Sequence, residues 1–121
     1  MALKTNNPSQ GEIWLFDPDP VKGKELGKKV RPCLIISNDF LNKGSSGLII
    51  VLPITSVFKG IPSHVCINPP EGGLDVLSYA LCEQVRCVSK ERLVKKLGSI
   101  KSRQILKDIH SWISDFIRID Y

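Results

Sequence analysis

Short apolar runs dominate this chain, and none is long. Residues 11–16, 31–37, 48–55, 63–67 and 78–85 each carry β-branched or aromatic side chains, and segments containing proline, glycine, asparagine or aspartate separate them. Runs of this length and composition read as buried strands, with a further short strand at 92–97. No window approaches the ~18 consecutive apolar residues of a membrane span. The first four fifths of the chain therefore predicts a small barrel or sandwich of closely spaced strands.

The last fifth changes period. Ile105, Leu106, Ile109, Trp112, Ile113, Phe116 and Ile117 fall on one helical face, with Lys107, Asp108, Ser111 and Asp115 opposite. This predicts an amphipathic helix over 102–119 with Ser102 as its N-cap. Its stripe needs an apolar surface to cover, either the sheet or a second subunit, and Trp112 and Phe116 read as core.

At 121 residues the chain makes one domain, 1–121, with little material for a deep enclosed site, so chemistry belongs in a surface groove or between subunits. Residues 1–10 form a polar lead-in, and no secretory leader is legible, which places the protein in the cytoplasm. The net charge of +5 favours an anionic partner. Cys33, Cys66, Cys82 and Cys87 lack Cys-x2-Cys spacing, and only two histidines are present, so packed free thiols are expected and no metal site.

Residues 17–30 carry Lys22, Lys24, Glu25, Lys28 and Lys29 with no apolar period, which predicts a long basic loop of the kind that serves function. Arg31 closes that loop and opens a strand. Thr55 and Ser56 end another strand. Two strand ends could thus bring a guanidinium fork and a hydroxyl pair to one phosphate. On the residues alone, the favoured reading is Arg31 as a solvated loop charge and Thr55 as a strand terminator. His64, among apolar neighbours, reads as a structural or substrate-contacting residue ahead of a general base. Phe16 and Phe58 could each stack a base, with Phe16 the better candidate for burial.

Six blocks, in order and correctly spaced, carry a resemblance. Gly11-Glu12-Ile13-Trp14, Asp17-Pro18 through Gly23-Lys24-Glu25, Val30-Arg31-Pro32 with Ile35-Ile36-Ser37-Asn38-Asp39, and Pro53-Ile54-Thr55-Ser56 are four. Ile61-Pro62-Ser63-His64-Val65 and Glu83-Gln84-Val85-Arg86 through Leu93 complete the set. Together they resemble the MazF/PemK family of toxin endoribonucleases from type II toxin–antitoxin modules. The resemblance implies a mainly β fold with helices, a small SH3-like barrel with a C-terminal helix. It implies a homodimer that cleaves single-stranded mRNA at a short sequence without metal or other cofactor. It also implies a cognate antitoxin that blocks the groove with an acidic, disordered segment. By the same resemblance, Arg31 and Thr55 are the catalytic pair. Glu25, Lys28, Lys29, Ser56, Lys59, His64, Glu83, Gln84 and Arg86 are then expected to bind RNA. The chain departs from the family in Leu26, where many relatives carry glutamine.

RNA brings its own nucleophile in the 2′-hydroxyl. An enzyme need only align that oxygen with phosphorus and stabilise the pentacoordinate dianion, which a guanidinium and an alcohol can do. The expected products are a 2′,3′-cyclic phosphate and a 5′-hydroxyl. Two competing readings stand beside this one: a non-enzymatic toxin of the same fold that binds a protein, like the CcdB-type gyrase poisons, and an inactive relative that only binds RNA.

Overall fold

The computed structural model describes residues 7–18 and 30–121. Among them, β1 (Glu12–Phe16) and β2 (Arg31–Ile35) are followed by a one-turn helix, α1 (Asp39–Asn42), and by β3 (Leu48–Thr55) and β4 (His64–Ile67). A 3₁₀ turn at Glu71–Gly73 leads to β5 (Ser78–Leu81) and β6 (Arg86–Ser89). A second 3₁₀ turn at Lys90–Arg92 leads to β7 (Leu93–Ser99) and α2 (Arg103–Ile117). The sheet runs β4-β5-β3-β2-β1-β7, with β6 also on β3, and the paired strands are antiparallel. The mainly β architecture with a C-terminal helix is therefore the one adopted.

The central strand, β3, serves two ladders along one edge. Residues 48–51 pair with β6, and Ile54 and Thr55 pair with β5, while β2 occupies the opposite edge. Pro53 falls where one ladder hands over to the other, so its missing N–H interrupts neither, and the strand continues to Thr55. The run 78–85, expected as one strand, is divided: β5 stops at Leu81, the chain turns at Cys82 and Glu83, and β6 begins at Arg86.

Alternation along the strands makes two cores, one on each sheet face. Ile13, Leu34, Leu52, Ile54, Val65, Ile67 and Ala80 pack toward α2, which adds Ile109 as its one buried residue. Trp14, Phe16, Cys33, Ile35, Ile49, Val51, Val88 and Leu93 form the second core on the other face. Burying each large apolar side chain contributes about 1.5–3 kcal/mol. Phe16 is among the fully buried ones, as its place in a strand suggested.

Helix α2 starts as expected: the Ile105 N–H donates to Ser102 Oγ at 3.2 Å. A second cap was not legible locally. Glu71, from the 3₁₀ turn, accepts hydrogen bonds on Oε2 from the backbone N–H groups of Lys101 and Ser102, the latter at 2.8 Å. Two orphan donors gain a partner, and a negative charge meets the positive end of the helix. The far end corrects an expectation. Phe116 is 48% exposed, with its ring stacked on Trp112 at 5.8 Å, because the last turn of the helix extends beyond the core that Ile109 enters.

The cysteines also divide. Cys33 and Cys82 are buried, and burial pushes each thiol up to about 12. Cys66 and Cys87 are exposed on β4 and β6, so the expectation of packed thiols holds for only two of the four.

Candidate active site

Ladder geometry assembles the site. Phe16 pairs with Arg31, Thr55 with Tyr79, and Tyr79 with Cys66. Between β2 and β3, Cys33 lies opposite Pro53, and extending that register by two residues brings Arg31 opposite Thr55. Phe16, Arg31, Thr55, Tyr79 and Cys66 thus form one row across five strands. The row lies on the face turned away from Leu52, Ile54, Val65 and Ala80. Adjacent strands are about 4.8 Å apart, so a guanidinium on Arg31 and the hydroxyl of Thr55 can reach oxygens of a single phosphate.

Local bonding prepares the hydroxyl. The Val57 N–H donates to Thr55 Oγ1 at 3.1 Å, which fixes the hydroxyl oxygen and leaves its proton for an outside acceptor. Ser56 beside it is exposed, as is Lys59. Arg31 is exposed at the head of β2, directly after the basic segment. On the neighbouring strand, the buried Phe16 ring receives a cation: Arg86 Cζ lies 5.9 Å from the ring centroid. That contact, together with the pairing of Arg86 to Val51, sets one guanidinium over the ring, while Arg31 is the ladder partner of Phe16 on β2. Where the chain leaves β1, the Asp17 N–H donates to the Arg92 carbonyl at 2.9 Å, and Arg92 Nη1 donates to the Pro18 carbonyl at 2.7 Å. Lys22, Lys24, Glu25, Lys28 and Lys29 lie outside the described residues.

A second polar cluster stands at the start of β4. Ser63 Oγ donates to Glu83 Oε1 at 2.8 Å, and His64 Nε2 lies 2.7 Å from Glu83 Oε2. Gln84 Nε2 makes a longer bond to the same oxygen at 3.4 Å. Burial raises the Glu83 carboxyl, but the hydrogen bonds from His64, Ser63 and its own backbone N–H, with the His64 charge, outweigh it and hold the group at about 2. The His64 side chain is only 5% exposed, and its Nδ1 is buried without a hydrogen-bond partner. Ser63, His64, Glu83 and Gln84 therefore act as one strut that ties the β5–β6 turn to β4.

Among the described residues no three His, Cys, Asp or Glu side chains converge to hold a metal ion. A cleft of about 460 Å³ opens between α2 and β4, reaching the end of the row at Cys66 and lined also by Pro62, Trp112, Asp108 and Asp115. Its two carboxylates make it a poor seat for a polyanion.

Comparison with known proteins fixes the family. Residues 9–117 match the PemK-like, MazF-like toxins of type II toxin–antitoxin systems. The chain belongs to this toxin family. Among its MazF relatives, Endoribonuclease MazF9 of Mycobacterium tuberculosis is 35% identical over 79% of this chain and 85% of its own. Endoribonuclease MazF of Staphylococcus epidermidis is 37% identical over 81% and 82%. The fold matches the crystal structure of MazF from Deinococcus radiodurans with a TM-score of 0.76, at 23% identity, over 95% of this chain and all of that one. A mycobacterial endoribonuclease in complex with its cognate antitoxin matches at a TM-score of 0.71 and 20% identity, over 97% and 99%.

In this MazF-like chain, register puts Arg31, Thr55 and Arg86 on one sheet face, Ser56 follows Thr55 just beyond the strand, and His64, Glu83 and Gln84 join in the strut. Two features escaped sequence reasoning. Tyr79, the ladder partner of Thr55, sat unremarked in a strand run. The packing of Arg86 on Phe16 joins residues seventy apart in sequence, and no local pattern signals it.

Proposed function

We propose that this chain is an endoribonuclease toxin that cuts single-stranded mRNA by attack of the 2′-hydroxyl on the adjacent phosphorus. The bond to the 5′-oxygen breaks, leaving a 2′,3′-cyclic phosphate and a 5′-hydroxyl. The observation that carries this reading is the β2–β3 register, which, continued two residues past Cys33 and Pro53, sets the exposed Arg31 across from Thr55 at the rim of the sheet. Arg31 neutralises charge as it develops on the phosphoryl oxygens, and Thr55 donates its proton to one of them with Ser56 beside it. Arg86, Lys59, Lys28 and Lys29 contact the RNA backbone. Glu25, Glu83 and Gln84 read the bases, and His64 holds the Glu83 carboxylate for that role. Nothing in this scheme calls on a metal.

The toxin works in the cytoplasm as a homodimer, stopping translation and growth. A cognate antitoxin restrains it by laying an acidic, disordered segment over the basic groove. The net charge of +5 and the antitoxin-bound structural neighbour support that partner. Among the described residues, no helix is long and apolar enough to cross a membrane.

The test is incubation of purified protein with a defined RNA in chelator. Cuts bearing cyclic phosphate are expected, and they should vanish when the sugar at the scissile step is deoxyribose. Scission that persists there would overturn the mechanism, and intact RNA with gyrase inhibition would favour the protein-binding reading.

A further inference from the structure

We propose that Phe58 and Tyr79 form a stacking subsite for one unpaired nucleobase next to the scissile phosphate. This deepens the endoribonuclease reading and rests on it. Phe58 is 72% exposed, yet its ring is held in place. On one side the Tyr79 ring lies 5.6 Å away, centroid to centroid, tilted by 53°. On another, Gly60 adopts φ +66 and folds the chain back so that a Cβ there would touch the Phe58 ring at 3.6 and 3.7 Å. The exposed remainder is a ready surface for a flat apolar partner.

Position ties this surface to the chemistry. Tyr79 is the direct cross-strand partner of Thr55, with Cβ atoms of such pairs about 5 Å apart. The bond from the Val57 N–H to Thr55 Oγ1 forms the turn that launches Phe58. One turn therefore sets both the hydroxyl that meets the phosphate and the ring beside it. Lys59 follows on the same loop, and the row through Phe16, Arg31, Thr55, Tyr79 and Cys66 contains no carboxylate. Aromatic rings interleaved with cations match single-stranded nucleic acid, whose bases stack while its phosphates pair with charge. Every base has a π-face, so the subsite adds affinity and fixes the nucleotide's angle without choosing its identity.

The test uses a single-stranded RNA of cleavable sequence with deoxyribose at the scissile step, so that binding is read without turnover. In one series of otherwise identical strands, each position flanking that step is made abasic in turn. At one position the abasic strand should bind the wild type about fivefold or more weakly. Phe58→Ala should bind the intact strand with a similar loss and become indifferent to that abasic position, while Phe58→Trp restores both properties. The proposal is overturned if Phe58→Ala binds as tightly as wild type, or if no abasic position matters. It is equally overturned if sedimentation shows the variant has changed oligomeric state while keeping its abasic sensitivity, which would make the ring a contact between copies. Failure of the wild type to cut the all-ribose strand would instead sink the endoribonuclease reading, because binding and stacking are measured separately from scission.

Discussion

Glycine contacts between the Glu71–Gly73 turn and β7 give the sharpest quantitative prediction. Gly73 sits at φ +77, and a Cβ built there would collide with the Leu97 carbonyl oxygen and reach within 2.6 Å of its carbon. Gly47 sits at a similar φ of +73 but has no atom within 4 Å of the same hypothetical Cβ. Gly98 is the reverse case: it carries no positive φ, but a Cβ there would lie 2.7–2.8 Å from backbone atoms of Gly72 and Gly73. The three substitutions therefore separate strain from overlap. Left-handed backbone costs an L side chain about 1–2 kcal/mol, and overpacking against atoms that cannot yield adds about 1–3 kcal/mol. The smaller unfolded-state entropy of alanine returns about 0.4–1 kcal/mol in every case. Gly47→Ala should thus lose about 1 kcal/mol or less, and Gly73→Ala about 2–4 kcal/mol. For a domain of 121 residues, 1 kcal/mol corresponds to about 4 °C in Tm, so the expected drops are a few degrees against about 8–16 °C. Gly98→Ala should fall between them. Thermal unfolding followed by circular dichroism ranks the three. A Gly73→Ala variant that melts no lower than Gly47→Ala would refute the argument that backbone contact, and not conformation alone, demands glycine there.

Other consequences are as direct. Arg31→Ala should slow RNA cleavage on the order of a hundred- to a thousandfold while leaving Tm unchanged, since Arg31 is exposed; gel kinetics beside a melting curve decides it. The Glu83 carboxyl is held at about 2, so the stability it contributes is complete above its ordinary value of 4.5 and is lost as pH falls through 2. The Tm difference between wild type and Glu83→Gln should accordingly be widest above pH 5 and narrow toward pH 2, and a constant gap would contradict the strut. Glu71→Ala removes a cap shared by two backbone donors and should destabilise the protein by about 1 kcal/mol or more, with the loss shrinking in high salt.

What could be read beforehand follows from how local each signal is. The period of 105–117 defined α2, and the β-branched runs of β1, β2 and β3 declared themselves because each buries alternate residues on one core or the other. Ser102 was legible as a cap because its partner lies three residues away; Glu71 was not, because its partners lie thirty and thirty-one away. The division between β5 and β6 was missed since Cys82, Glu83 and Gln84 turn without glycine or proline. That turn is stabilised instead by the bonds of Glu83 to Ser63 and His64 across the fold. Phe116 was placed in the core by period alone, which measures the face of a helix but not the extent of the surface beneath it. For the site, the resemblance supplied Arg31 and Thr55, while register supplied their row-mates Phe16 and Tyr79.

The junction of β3 with the β4–β5 hairpin has a consequence for how recognition can diversify. Only two residue pairs, Ile54 with Ala80 and Thr55 with Tyr79, stitch that hairpin to the central strand. The hairpin itself is held by Val65 and Ile67 in the core and by Glu71 at the start of α2, so what can be exchanged is the exposed loop 56–62 that enters it. Grafting another sequence there would redesign the groove's rim while Arg31, anchored by β1 and β2, stays where it is.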